Sequence, residues 1–219
     1  MLRWLVPGPV LEVGVGTGLV SAALLTAGRD VIGVDISANM LVHARRRLGF
    51  RVVRGDARAL PLADESVANV AFVWMLLFVD GAGAALAEAA RVLRPDGRVV
   101  VIGGRPAGPR TDVDETIAPL DGLRSRRPQD VDAKLPRLAA AARLRPVHQG
   151  LTTGYPVETV PEDMARLVEE RSASWMSQVD DAVWERTAVP VISALRGLPE
   201  PQRPRRYLQR NTLLVFRRP

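Results

Sequence analysis

Over its first hundred or so residues the chain alternates short apolar runs with segments whose apolar positions recur every three or four residues. The runs "PVLEVG" (9–14), "DVIGVD" (30–35), "RVVRGD" (51–56), "VANVAFV" (67–73) and "RVVVIGG" (98–104) have the length and β-branched content of strands. Between them, "GLVSAALLTA" stopping at Gly28, "ANMLVHARRRL" ending at Gly49 and "GAALAEAARVL" (83–93) read as helices. Thr17 is predicted to cap the first helix and Ser37 the second, whose closing arginines suit the negative end of the helix dipole. Pro95-Asp96-Gly97 reads as a turn that delivers the chain into the fifth strand. Strand and helix taken in turn predict an α/β fold, a parallel sheet covered on both faces.

Beyond Gly104 the alternation stops. Proline, glycine and charge crowd residues 105–130, which predicts a long loop or lid. Residues 131–144 then read as helix and "RPVHQGLTTGYPVETV" (145–160) as strand-like. Pro161 opens a helix through "EDMARLVEERSASWM", another follows over "DDAVWERTAVPVISALRGL" with Pro190 as a kink point, and "NTLLVFRR" (211–218) closes the chain as a strand.

Composition narrows the classes. A chain of 219 residues with 47% hydrophobic content buries a real core, which excludes a disordered segment. The longest apolar stretch, "VANVAFVWMLLFV" (67–79), is shorter than the ~20 residues of a membrane-spanning helix and reads as a buried strand running into a turn. Pro7, Pro9 and Glu12 interrupt the apolar start, so no targeting segment is expected. The absence of cysteine excludes disulfides and thiolate ligands and fits a cytoplasmic protein, and two histidines, His43 and His148, leave no expectation of a metal site. The net charge of +6 gathers in runs such as 45–47 and 203–206. These read as solvated surface, with no aromatic residues interleaved for stacking on single-stranded nucleic acid.

Candidate chemistry begins where the first strand ends. Gly14, Gly16 and Gly18 occupy every second position at the carboxyl end of that strand, the edge at which open α/β sheets bind ligands. A dinucleotide fingerprint counted from Gly14 needs Gly or Ala at position 19, where Leu19 stands, and this disfavours NAD or FAD. Asp35, 17 residues beyond Gly18, ends the second strand, where a carboxylate accepts hydrogen bonds from a ribose diol. Asp56 ends the third, where a carboxylate can accept from an adenine amine. Each has a plainer reading as a turn or cap residue; the three together point to a nucleoside cofactor.

With these residues in view the chain resembles the class I S-adenosylmethionine-dependent methyltransferases of the type 11, small-molecule group. "VLEVGVGTG" resembles that family's E/D-x-G-x-G-x-G motif, "VIGVDISANML" its ribose-acid motif, "GDARALPLADESV" its third, and "LAEAARVLRPDGRVVV" its helix and turn before strand five. The resemblance covers residues 9–103 well and 131–218 loosely. It implies a Rossmann-like, doubly wound, seven-stranded sheet of order 3-2-1-4-5-7-6 with the last strand antiparallel. It also implies one methyltransferase domain over 1–219, with a cofactor-binding core at 1–104, the loop or lid at 105–130, and substrate-side helices and closing strands at 131–219. Carried over residue by residue, it places Glu12 and Gly14 near the methionine amino end of S-adenosylmethionine and Gly16 and Gly18 beneath the cofactor's backbone. Asp35 falls on the ribose, Ile36 and Met40 beside the adenine, Asp56 and the Ala57 amide on the adenine edge, and Phe72 and Val73 facing the sulfonium.

The chain departs from that family in two places. Many relatives carry an Asp early in strand four and a His-containing stretch after it, where this chain has Ala68 and "WMLLF" (74–78), so a polar base is missing there. Relatives also carry one or two helices before the first motif, whereas nine residues precede Val10. The options are a gene start placed downstream of the true one, an open site, or cover by the loop after Gly104. His43 reads as a surface or packing residue, His148 as a residue that could reach the site from the sixth strand, and Tyr155, Trp175 and Trp184 as candidates to line a substrate pocket. The expected function is methyl transfer from S-adenosylmethionine to a small molecule bound under segments of 105–130 and 160–200. The alternatives are RNA or protein methylation and a non-catalytic cofactor-binding module; no membrane partner is expected.

Overall fold

A computed structural model describes residues 1–76, 79–107, 109–123, 131–172 and 175–219. Strands β1 (Val10–Val13), β2 (Val31–Asp35), β3 (Val52–Arg54), β4 (Val67–Val73), β5 (Leu93–Ala107), β6 (Arg145–Leu151), β7 (Tyr155–Thr159) and β8 (Arg205–Arg217) alternate in the first half with helices α1 (Leu19–Thr26), α2 (Ala38–Leu48) and α3 (Ala82–Val92). The later helices are α4 (Asp112–Ile117), α5 (Val131–Ala141), α6 (Pro161–Glu169) and α7 (Asp181–Arg196). Among the described residues the strands form one sheet of order β3-β2-β1-β4-β5-β8-β6, with β7 paired to β8 off that path. β1 runs parallel to β2 and β4, β3 to β2 and β5 to β4, while β8 is antiparallel to β6 and β7. The expected Rossmann-like order is therefore present, with β8 in the place expected for the seventh strand, between β5 and β6, and one further strand, β7, added.

The chain divides into two compact units. The first comprises Met1–Pro106, Pro128–Thr152 and Asn211–Pro219. Its strands alternate side chains between two faces. Leu11, Val13, Val70, Phe72, Val99 and Val101 pack with Leu86 and Ala89 of α3 and Leu135 and Ala139 of α5. Val10, Ala71, Val100, Leu213 and Val215 pack on the other side with Leu24 of α1. Helix α2 buries Leu41, Ala44 and Leu48 against Val15 and Val52. The second unit comprises Ala107–Arg127 and Thr153–Arg210 and has its own core of Val113, Leu120, Ala165, Val168, Trp184, Val191 and Leu195.

Several local expectations are corrected. Thr17 does not cap α1: the cap position is Gly18, in a left-handed conformation with no side-chain bond. Ser37 does cap α2, accepting from the Met40 N–H, and Gly49 ends it. The Pro95-Asp96-Gly97 turn lies inside β5 as an irregularity between Leu93 and Arg98, because Leu93 already pairs with Val67. The strand-like stretch 145–160 is two strands, and β8 begins six residues before the predicted Asn211. The helix opened by Pro161 ends at Glu169. Within the predicted lid, α4 is held by a reciprocal capping box between Thr111 and Asp114, and a 3-10 turn spans Ala118–Leu123. Gly108 and residues 124–130 of that lid lie outside the described residues, as do Leu77 and Phe78. No helix among the described residues is long and apolar enough to cross a membrane.

Candidate functional site

The loop between β1 and α1 owes its shape to its glycines. Gly14, Gly16 and Gly18 have φ of 75°, 54° and 82°, left-handed values that side-chain-bearing residues adopt only with strain. The loop is hung on the neighbouring strand, with the N–H groups of Gly14 and Val15 both donating to the Val34 carbonyl at 2.7 and 3.0 Å. A Cβ on Gly14 would lie 2.7 Å from the Met75 Cβ, and one on Gly18 3.0 Å from the Leu48 Cδ1. A Cβ on Gly16 would meet nothing within 4 Å. The outer glycines are pressed against protein, and the middle one faces open space.

Asp35, at the end of β2, fixes that middle glycine. The Gly16 N–H donates to its Oδ2 at 2.8 Å, and the Ser37 N–H donates to its Oδ1, also at 2.8 Å. Each carboxylate oxygen thus holds one main-chain donor and retains acceptor capacity for another. Arg47, near the end of α2, donates to the Thr17 carbonyl at 3.0 Å and ties that helix to the loop. Ile36 and Met40 follow Asp35 as exposed apolar side chains, 61% and 43% accessible.

Beneath the loop lies Glu12, on the same side of β1 as Val10 and only 2% exposed. The Ser21 hydroxyl of α1, itself fully buried, donates to its Oε2. Burial pushes the Glu12 carboxyl up to about 7; the bonds from Ser21 oppose that rise and the charge of Asp35 adds to it. Asp56 is the opposite case. Arg58 grips it through Nε at 3.0 and 3.1 Å and Nη2 at 2.6 Å, and the Arg58 N–H adds a bond at 2.9 Å. That guanidinium holds the Asp56 carboxyl down at about 2.

Ala57 is buried beside them. On β4, Phe72 is fully buried with its ring in the core, which leaves its main chain alone for any role at the strand end, and Val73 is partly exposed. The structure thus brings Glu12, the three glycines, Asp35, Ile36 and Met40 to the ends of β1 and β2. Sequence reasoning overlooked Ser21, Met75, Arg47 and Arg58, which shape this region. Only Arg58 had a local signal, a basic residue two positions after an acid.

The other candidates have different surroundings. His43 is exposed on α2. His148, on β6, stacks on Trp4 with ring centroids 4.4 Å apart. Trp184 is buried in the second unit's core under the Arg171 guanidinium, 4.6 Å from its ring, with Trp175 packed on that core, so these rings are packing residues. Tyr155 accepts through its hydroxyl from Gln209 at 2.8 Å. Phe50, three residues beyond the basic run 45–47, is 89% exposed, with the Arg51 guanidinium 5.3 Å from its ring. Among the described residues no cluster of His, Asp and Glu could hold a metal ion.

Comparison with known proteins matches residues 11–101 to the family described as "Methyltransferase domain". A demethylmenaquinone methyltransferase of Renibacterium salmoninarum is 45% identical over 98 residues, 44% of this chain and 41% of that one. A phosphatidylethanolamine N-methyltransferase of Cereibacter sphaeroides is 34% identical over 151 residues, 65% of this chain and 72% of that one. The match thus spans about two fifths of the demethylmenaquinone enzyme's length and most of the phosphatidylethanolamine enzyme's. Among solved structures, a candidate methyltransferase of Bacillus halodurans C-125 superposes with a TM-score of 0.61 at 18% identity, covering 97% of this chain and 93% of that one, and so shares the fold.

Proposed function

This chain belongs to the class I S-adenosylmethionine-dependent methyltransferases, and from that premise we propose that it methylates an oxygen, nitrogen or carbon of a small molecule and leaves S-adenosylhomocysteine. One observation carries the reading: three left-handed glycines at the end of β1, the middle one open on its outer side and bonded through its N–H to Asp35. The donor set fits an adenosine cofactor. Asp35 has acceptor capacity left for two ribose hydroxyls, and Ile36 and Met40 offer apolar surface for an adenine. In this reading Gly16 and Gly18 underlie the cofactor, Glu12 and Gly14 flank its amino end, and the main chain of Phe72 and the Val73 side chain stand toward the sulfonium. Asp56, with the Ala57 amide, serves the adenine edge with a carboxylate already shared with Arg58.

When bound, S-adenosylmethionine supplies a methyl group already activated on a cationic sulfur. Transfer of that group is a displacement in which holding the acceptor in line supplies much of the rate, so the absence of a polar base at Ala68 is compatible with it. The relatives are named for different acceptors, and acceptor choice is assigned to segments outside the matched residues 11–101.

Calorimetric titration with S-adenosylmethionine, S-adenosylhomocysteine and NAD tests the cofactor. Saturable binding of the first two and none of NAD is expected, and absence of binding in folded protein would overturn the reading. Screening of small-molecule acceptors follows. Tight cofactor binding with no turnover across a broad panel would replace the enzyme with a cofactor-binding module.

A further inference from the structure

Glu12 and Ser21 stand at the two feet of the glycine loop, one just before it on β1 and the other just after it on α1, and their side chains meet beneath it. Among the described residues, the elements beside the carboxyl bring it no cationic side chain. In register beside Glu12 lie Gly33 of β2 and Ala71 of β4. Helix α1 carries no charged residue and contributes the Ser21 hydroxyl. Asp35, at the end of β2, is the charged side chain whose field reaches Glu12, and it is an acid. A buried carboxyl with one hydroxyl partner and a neighbouring carboxylate keeps its proton more readily than a solvated one, and a cation arriving in the loop reverses that preference.

We propose that Glu12 is the acid that gives up a proton when a cationic cofactor end enters the glycine loop, and that Ser21 is the positioning residue that keeps this proton exchangeable near neutral pH. The inference rests on the cofactor reading above and adds its regulation: cofactor capture is coupled to proton release. The O–H bond of the Glu12 carboxyl breaks, its proton passes to solvent, and the carboxylate left behind is balanced by the ligand's ammonium and by the Ser21 O–H. Burial raises the Glu12 carboxyl to about 7, which puts the exchange in the physiological range.

The probes are S-adenosylhomocysteine, which carries the ammonium, and 5′-methylthioadenosine, which has the same nucleoside without it. With one proton released, S-adenosylhomocysteine should bind about tenfold more weakly near pH 6 than near pH 7.5. Its measured enthalpy should also differ between phosphate and imidazole buffers, by the fraction of a proton released multiplied by the difference between the buffers' ionisation enthalpies. Affinity for 5′-methylthioadenosine should be the same at both pH values. Ser21→Ala should weaken S-adenosylhomocysteine severalfold near pH 7.5, move its pH midpoint upward and leave 5′-methylthioadenosine unchanged. Glu12→Gln should abolish the pH dependence and the proton release.

If Ser21→Ala does not fold, the comparison of the two ligands on the unmodified protein still decides the proposal. A common pH profile for both ligands, or a flat one for both, overturns it while leaving the cofactor assignment standing. Failure of both ligands to bind folded protein overturns the cofactor assignment itself, and the proton coupling with it.

Discussion

The base of the glycine loop and the rim at the end of β3 each present an acid, and the two are governed by opposite physics. At the base, Glu12 is buried, has a hydroxyl for a partner and feels another acid, so desolvation wins and its carboxyl is pushed up to about 7. At the rim, Asp56 is solvated and gripped by a guanidinium, so pairing wins and its carboxyl is held down at about 2. The same side-chain chemistry is thus kept ready to exchange a proton in one place and permanently charged in the other. Placement relative to solvent, more than the carboxyl itself, decides which.

The largest test of this contrast is the stability of the free protein against pH. Glu12 binds its proton more tightly folded than unfolded, so the group costs nothing below its ordinary value of 4.5. As pH rises from there to about 7 the unfolded chain loses its proton first, and stability falls. The loss should total about 3 kcal/mol. Glu12→Gln should remove this decline in denaturant titrations run across that pH window, and an unaltered slope would break the comparison.

Next come the glycines. Gly14→Ala sets a Cβ against Met75 at a left-handed backbone and should destabilise by about 2 kcal/mol, whereas Gly16→Ala meets open space and should cost about 1 kcal/mol from backbone strain. Thermal unfolding of the two variants should rank them in that order, with the cofactor loss concentrated in Gly16→Ala. Asp35→Ala removes a charge-assisted acceptor and should cost roughly 1.5–3 kcal/mol of cofactor affinity by calorimetry. Unchanged affinity in a folded variant would remove Asp35 from the ribose. The smallest effect belongs to the rim: Arg58→Ala breaks a solvent-exposed pair and should leave unfolding unchanged within error. Its readout is a modest change in adenosine binding as Asp56 is released.

How far these features were readable in the sequence depended on where their causes lie. The glycine loop, the Ser37 cap and the Gly49 stop depend on nearby residues, and they stand where the residues put them, as do the strands 10–13, 31–35 and 67–73. The missed features are set by distant partners. Gly14 needs Met75 to explain its closed side, and the true extent of β5 depends on Leu93 pairing with Val67 rather than finishing a helix. Helix α4 was hidden because its residues read as a loop; its Asp112 is gripped by Arg205, 93 positions away. The Thr17 cap failed for a local reason, since the glycine at the next position takes the left-handed cap conformation first.

The strand order also carries a consequence for the chain as it leaves the ribosome. β8, synthesised after every other strand of the sheet, sits between β5 and β6 and is also the partner of β7. Arg218 completes the seam by bonding through its main chain to Asp96 and Gly97 and through its side chain to Glu65. While β1 to β5 can assemble as they emerge, β6 and β7 have to wait with open edges until β8 arrives. Translation that halts between β7 and β8 would therefore release a chain with its nucleotide cradle encoded and the far side of its sheet unfinished, a species for quality control to remove.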